Sequence, residues 1–335
     1  MKMTKSSALH GVSRSRLKVL LAACALILTS ITEASAEPVQ SALPAEVSPR
    51  AAQGLLLDVV ASEGQLTAVG ERGNVVSSKD GKRWSQSVVP VRSALTAVVA
   101  LGANQMWAVG HDAAIVHSVD AGKSWTLQHY DPAKLQPLHD VLFLDRSHGV
   151  AVGAFGLMLT TQDAGTTWSE VNAPAVREDG AHLNALARLG NGEVVVVGEQ
   201  GLVGISNDGR DWDRLQSPYE GSYFGVVARG ERGAVIFGLR GNAYASDDVR
   251  SGTWRRIDLS TTSSIFGGAS VADGSVILVG ADSAVIRIMP SDIVERISAK
   301  GSTSNSGTIA AVAPWGGEFI AVGENGICAT RTCSR

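Results

Sequence analysis

The sequence predicts an all-β chain: a seven-bladed β-propeller of four-stranded antiparallel blades with Asp-box turns, closed by its N-terminal strand. Three observations predict it. An apolar–Gly dipeptide recurs seven times at nearly constant spacing. A turn containing Ser or Thr, Asp, Gly and Trp follows most of these dipeptides. Between them, short apolar runs alternate with Gly, Asn and Asp turns, the pattern of an antiparallel meander.

The dipeptides are Val69-Gly70, Val109-Gly110, Val152-Gly153, Val197-Gly198, Phe237-Gly238, Val279-Gly280 and Val322-Gly323, with glycines 40, 43, 45, 40, 42 and 43 residues apart. Each unit of about 42 residues is one sheet that cannot bury both faces alone; neighbours packed around an axis bury both. An open solenoid is the alternative, and the chain ends argue against it. The seventh unit has strands at 308–312, 318–322 and 327–330 but no fourth. Residues 38–50 precede the first unit without a partner, so they are expected to supply the outer strand of the last blade. Pro44 and Pro49 suit an edge strand, where a missing N–H matters little. The repeated glycine is expected to take φ > 0 in a tight turn after the second strand.

The turns between third and fourth strands read Ser78-Lys-Asp80-Gly81-Lys-Arg-Trp84, Ser118-Val-Asp120-Ala-Gly122-Lys-Ser-Trp125, Thr161-Gln-Asp163-Ala-Gly165-Thr-Thr-Trp168 and Ser206-Asn-Asp208-Gly209-Arg-Asp-Trp212. A looser fifth runs from Ser246-Asp247-Asp248 to Trp254; the sixth keeps only Ser291-Asp292. An Asp here accepts backbone N–H groups within its own turn. The Trp folds back as an apolar plug whose indole N–H needs one partner. Five of the seven tryptophans sit in this position, which favours a structural role for Asp80, Trp84, Asp120, Trp125, Asp163, Trp168, Asp208, Trp212 and Trp254. Too few carboxylates gather at each box for a calcium shell, and no metal or other cofactor is expected.

Residues 1–36 read as a cleaved export signal: basic Lys2, Lys5, Arg14, Arg16 and Lys18, an apolar run from Val19 to Ile31, then Ala34-Ser35-Ala36 as the cleavage site. The run is too short to span a bilayer. The stretch ending at Cys24 resembles a lipobox, but apolar residues continue past it, so a lipid anchor is disfavoured. The remainder, 37–335, is expected to be one propeller in the periplasm or outside the cell. Cleavage removes five basic residues and one acidic residue, taking the net charge from −3 to −7 and arguing against nucleic acid as a partner. Cys328 and Cys333 are expected to form a disulfide in such a compartment.

No catalytic motif stands out. The adjacent Tyr219-Glu220 is the one pair fitting a sialidase-type hydrolase, and its loop setting reads as solvated surface. The seven histidines form no close pair along the chain. Variable polar residues instead follow the repeated glycines: Glu71 and Arg72, His111 and Asp112, Glu199 and Gln200, Arg240, Asp282, Glu324 and Asn325. In a four-stranded blade these turns share one face with the interblade loops, and the Asp-boxes occupy the other. A partner site is therefore expected on the Gly-turn face, enlarged by loops 129–139, 173–182 and 216–223.

The repeat Val-Gly-x-x-Gly followed by Ser-x-Asp-x-Gly-x-x-Trp resembles the BNR/Asp-box propellers, and within them the Ycf48 (Hcf136) photosystem II stability/assembly factors together with Ycf48-like bacterial proteins. That resemblance implies a non-catalytic, exported, monomeric scaffold that binds a membrane or envelope protein. The BNR group also contains sialidases and other glycosidases, so a glycoside hydrolase or carbohydrate-binding propeller is the alternative reading.

Overall fold

The structure is a computed structural model that describes residues 41–297 and 307–329. The expected signal segment, residues 38–40 and Cys333 lie outside the described residues.

Residues 56–329 form seven antiparallel sheets in chain order. Six have four strands hydrogen-bonded in sequence order; the seventh, 309–329, has three among the described residues. The first strands are Leu56–Ser62, Leu95–Leu101, Leu138–Phe143, Leu183–Arg188, Tyr223–Arg229, Ile265–Ser270 and Ile309–Trp315, and each packs beside the next around the axis. Seven apolar clusters follow, one at each interface between neighbouring blades. The last interface joins Ala311, Ala313, Ile320 and Val322 of blade seven to Leu56, Val59, Leu66 and Val76 of blade one. Burial of apolar surface is thus what seals the ring.

The expectation for residues 38–50 needs correcting over its described part. Residues 41–50 form no strand, and 42–50 lie along the outer edge of blade one. The Ala45 N–H donates to Val89 O at 2.9 Å, Gln86 Nε2 donates to Glu46 O at 3.0 Å, and the Ser48 N–H donates to Gln86 Oε1 at 2.7 Å. Ala45 packs with Val89 and Val91. Gln86 offers both an amide donor and an acceptor to this segment, so it holds the segment without a continuous ladder.

The repeated glycines behave differently from expectation as well. Gly70, Gly110, Gly153, Gly238 and Gly280 are extended, with φ between −169° and 178° through ±180°. Glycine is required for space. A Cβ at any of the seven would lie 2.0–2.2 Å from the carbonyl oxygen just before the blade's first strand. That same oxygen accepts the N–H of the next residue, as in Glu71 to Leu55 O at 3.1 Å and Glu199 to His182 O at 3.0 Å. The left-handed conformation falls two residues later, at Arg72, Asp112, Phe155, Gln200, Arg240 and Asp282 (φ 54–59°). In blade one Gly73 follows at φ 69° and Asn74 N–H closes back on Glu71 O, a type I′ turn whose twist matches the flanking strands.

Three of the Asp-boxes, in blades one, two and four, close on their own tryptophan. In the first, Asp80 Oδ1 accepts the N–H groups of Lys82 and Arg83 at 2.9 and 2.8 Å. The indole N–H donates to the box glycine carbonyl at 3.4 Å for Trp84, 3.0 Å for Trp125 and 3.1 Å for Trp212. The buried indole N–H groups of Trp168 and Trp254 have no such bond. In the third box, Gln128 of blade two inserts instead, donating to Ala164 O at 3.0 Å.

Candidate functional site

Six left-handed residues place one side chain each on the Gly-turn face, and five of these side chains are exposed; Asp112 is half-buried. A left-handed non-glycine residue is strained by roughly 1–2 kcal/mol, so six in register mark a built feature. The structure sorts the sequence-predicted residues into two groups. Some carboxylates hold the turns together. Glu71 accepts from Leu55 N–H at 3.2 Å, Glu199 from His182 N–H at 3.2 Å and Glu324 from Thr308 N–H at 3.0 Å. Asp112 accepts from the Ser93 hydroxyl, and Asp282 from the Ser263 hydroxyl at 2.6 Å. Among the described residues, the exposed side chains of Arg72, His111, Gln200, Arg240 and Asn325 have no comparable bond to a turn.

Phe155 is the residue that sequence reasoning missed. It is the left-handed residue of blade three, 60% exposed, and the one aromatic in the ring. Its ring meets His182 edge-on at 4.7 Å, and His182 lies 5.8 Å from His139. Histidines far apart in sequence therefore do pair, because blades three and four adjoin. Burial pushes the His139 pKa down, opposed by its bond to Leu183 O at 3.1 Å. Leu135, 78% exposed and also left-handed, adds a second apolar side chain from loop 129–139. Loop 173–182 is fixed beside them: Val176 is buried between blades three and four, and Arg177 donates to Gly156 O at 2.6 Å.

Below this face runs the axis. Each first strand begins with a bulge that leaves one residue out of the ladder: Leu57, Thr96, His139, Asn184, Phe224, Phe266 and Ala310. All seven line a central cavity of about 260 Å³. Several bridge to the next blade, as Thr96 Oγ1 does to Leu138 O at 2.7 Å and Asn184 Nδ2 to Tyr223 O at 2.7 Å. Asp58 and Asp140 stand next to their bulges. Asp58 accepts from Val59 and, across the interface, Val98 N–H, both at 2.8 Å. Asp140 accepts likewise from Val141 and Leu186 at 2.7 Å. Burial pushes Asp58 up to about 6 and Asp140 up to about 7; these N–H groups oppose the shift, and the charge of Asp58 adds to it at Asp140.

The two residues of the pair that fits a sialidase-type hydrolase lie in different settings. Tyr219 packs on Tyr223 and Tyr244 at 5.9 and 6.3 Å between ring centres, while Glu220 is exposed on its loop.

Fold and site together define a class: an Asp-box β-propeller that displays a ring of single side chains at one end of its axis. The family described as photosynthesis system II assembly factor YCF48 matches residues 133–285, blades three to five and half of six. No curated protein sequence matches. Among solved structures, one described as YCF48 bound to D1 peptide is similar at TM-score 0.66 and 18% identity, covering 85% of this chain and 98% of that one. YCF48 from Cyanidioschyzon merolae gives 0.64 and 16%, covering 86% and 98%. An ancestral GH74 enzyme gives 0.66 and 13%, covering 86% of this chain and 46% of that one. At these identities the solved structures establish shared fold.

Proposed function

We propose that this protein is a non-catalytic scaffold, of the Ycf48 assembly-factor type, that binds a segment of a membrane protein on its Gly-turn face. The observation that carries the reading is the exposed, left-handed Phe155 beside His182, within a ring that also offers Arg72, Gln200 and Arg240. A rigid exposed aromatic among polar neighbours has the composition of a binding hot spot. The family match and a relative described as bound to a D1 peptide support a peptide-like partner. Export, with removal of residues 1–36, belongs to the same reading and places the protein beside the envelope. N-terminal sequencing of the protein recovered from cells tests the export step; a start at Glu37 is expected. Capture of partners from membrane extracts tests the face. Phe155→Ala together with Arg72→Ala and Arg240→Ala is expected to abolish recovery of partners that wild type retains. Undiminished recovery by a folded triple variant would sink this assignment.

A further inference from the structure

The central cavity contains a charge imbalance that the protein-binding reading does not use. Two carboxylates, Asp58 and Asp140, line it, and no Lys or Arg does. His139, whose pKa burial pushes down, is the other titratable lining group, with the His182 ring tilted beside it at 5.8 Å. Opposite the carboxylates, blades five and six supply Phe224 and Phe266, their ring centres 5.4 Å apart. About 260 Å³ of space separates these walls. Buried carboxylates without a counter-charge are costly, and aromatic faces attract cations but not anions.

We propose that this cavity binds one organic cation, an alkylammonium or guanidinium group, between the Asp58/Asp140 pair and the Phe224/Phe266 wall. Each carboxylate oxygen accepts one backbone N–H and retains a lone pair for the ligand. The cation opposes the burial that now favours the protonated acids. Binding is therefore coupled to proton release, and affinity rises as pH increases through 6 to 7. The cation's source is either a free small amine or the basic side chain of a bound protein.

The test uses the full chain and titration calorimetry with n-butylammonium, n-butanol and an end-capped peptide with one central lysine. The butylammonium arm does not depend on the proposed partner face. Saturable one-to-one binding of butylammonium is expected, with Kd on the order of a millimolar. Repeating it in buffers of different ionisation heat is expected to reveal net proton release between pH 6 and 7. Asp140→Asn should weaken binding about tenfold. Phe266→Leu leaves the carboxylate bonds between blades intact and should weaken it about threefold. Tighter binding of the peptide than of butylammonium assigns the cation to a protein side chain; weaker binding assigns it to a free amine, and both support the site. Absence of saturation, equal binding of n-butanol, or no loss in folded Phe266→Leu would overturn it.

Discussion

Blades one to four and blades five to six perform the same structural task by different means. In blades one, two and four the turn beside the neighbouring sheet is an Asp-box closed by its own Trp, with Trp125 and Trp212 only 8% and 7% exposed. Blade five carries an altered box, and the corresponding turn of blade six, at Ser291-Asp292, has neither the Gly nor the Trp. There, arginines bridge the sheets. Arg229 reaches Asp292 at 2.6 Å, and Arg255 reaches Asp292 at 2.9 Å and Asp247 at 2.8 Å. Arg250 pairs with Glu193 of blade four and approaches Asp213 at 3.4 Å. A local, sequence-contiguous lock has been replaced by a distributed electrostatic one. The two should differ in strength, salt response and pH response.

Removing a plug should have the largest effect. Trp212→Ala is expected to cost about 3–5 kcal/mol, because it opens a cavity between two sheets. A urea-unfolding midpoint indistinguishable from wild type would mean that the plug is dispensable. Breaking the distributed lock should cost less. Arg229→Ala leaves the partly buried Asp292 with one partner fewer and is expected to cost about 1–3 kcal/mol. Raising the salt concentration should shrink that difference, whereas the Trp212→Ala difference should hold. An equal salt response in both variants would erase the contrast. Asp120→Ala, which frees the Lys123 and Ser124 N–H groups, should lower the urea midpoint by less than either, like loss of a helix cap.

The carboxylates also differ in pH response. Hydrogen bonds from Ser124 hold the Asp120 pKa down to about 2, so its contribution is complete above the unfolded value of 3.8 and is lost as pH falls through 2. Asp58 and Asp140 act in the opposite sense. Raised to about 6 and 7, they keep protons that the unfolded chain has released, so stability declines as pH rises from about 4 to 7. Thermal melting across pH 3–8 should fall on both sides of a mildly acidic maximum. Asp140→Asn should flatten the neutral side and leave the acid side unchanged. An unaltered slope on the neutral side would contradict the raised carboxylate.

This contrast also separates what the sequence makes legible from what it hides. The seven glycines are legible because one steric requirement recurs in every blade at one spacing. The Asp-boxes are legible because their partners lie within six residues. The ion pairs are not, because Arg229 and Asp292 are 63 residues apart and meet only once the sheets pack. Residues 41–50 were misplaced for the same reason: Gln86 and Val89 hold this segment, and nothing in the repeat pattern announces them. Phe155 was recoverable. It stands two residues after Gly153, where Arg72 and Arg240 stand after their glycines, but it is apolar and so falls outside the polar pattern of these turns.

The bulges that open each first strand have an evolutionary consequence. Each releases one residue from pairing, so its side chain can change without breaking a ladder hydrogen bond. Leu57, Thr96, His139, Asn184, Phe224, Phe266 and Ala310 already occupy seven equivalent positions with six different kinds of side chain. The axis thus works as a row of independent sockets. A lineage can rewrite the chemistry at its centre one blade at a time while the surrounding frame stays the same.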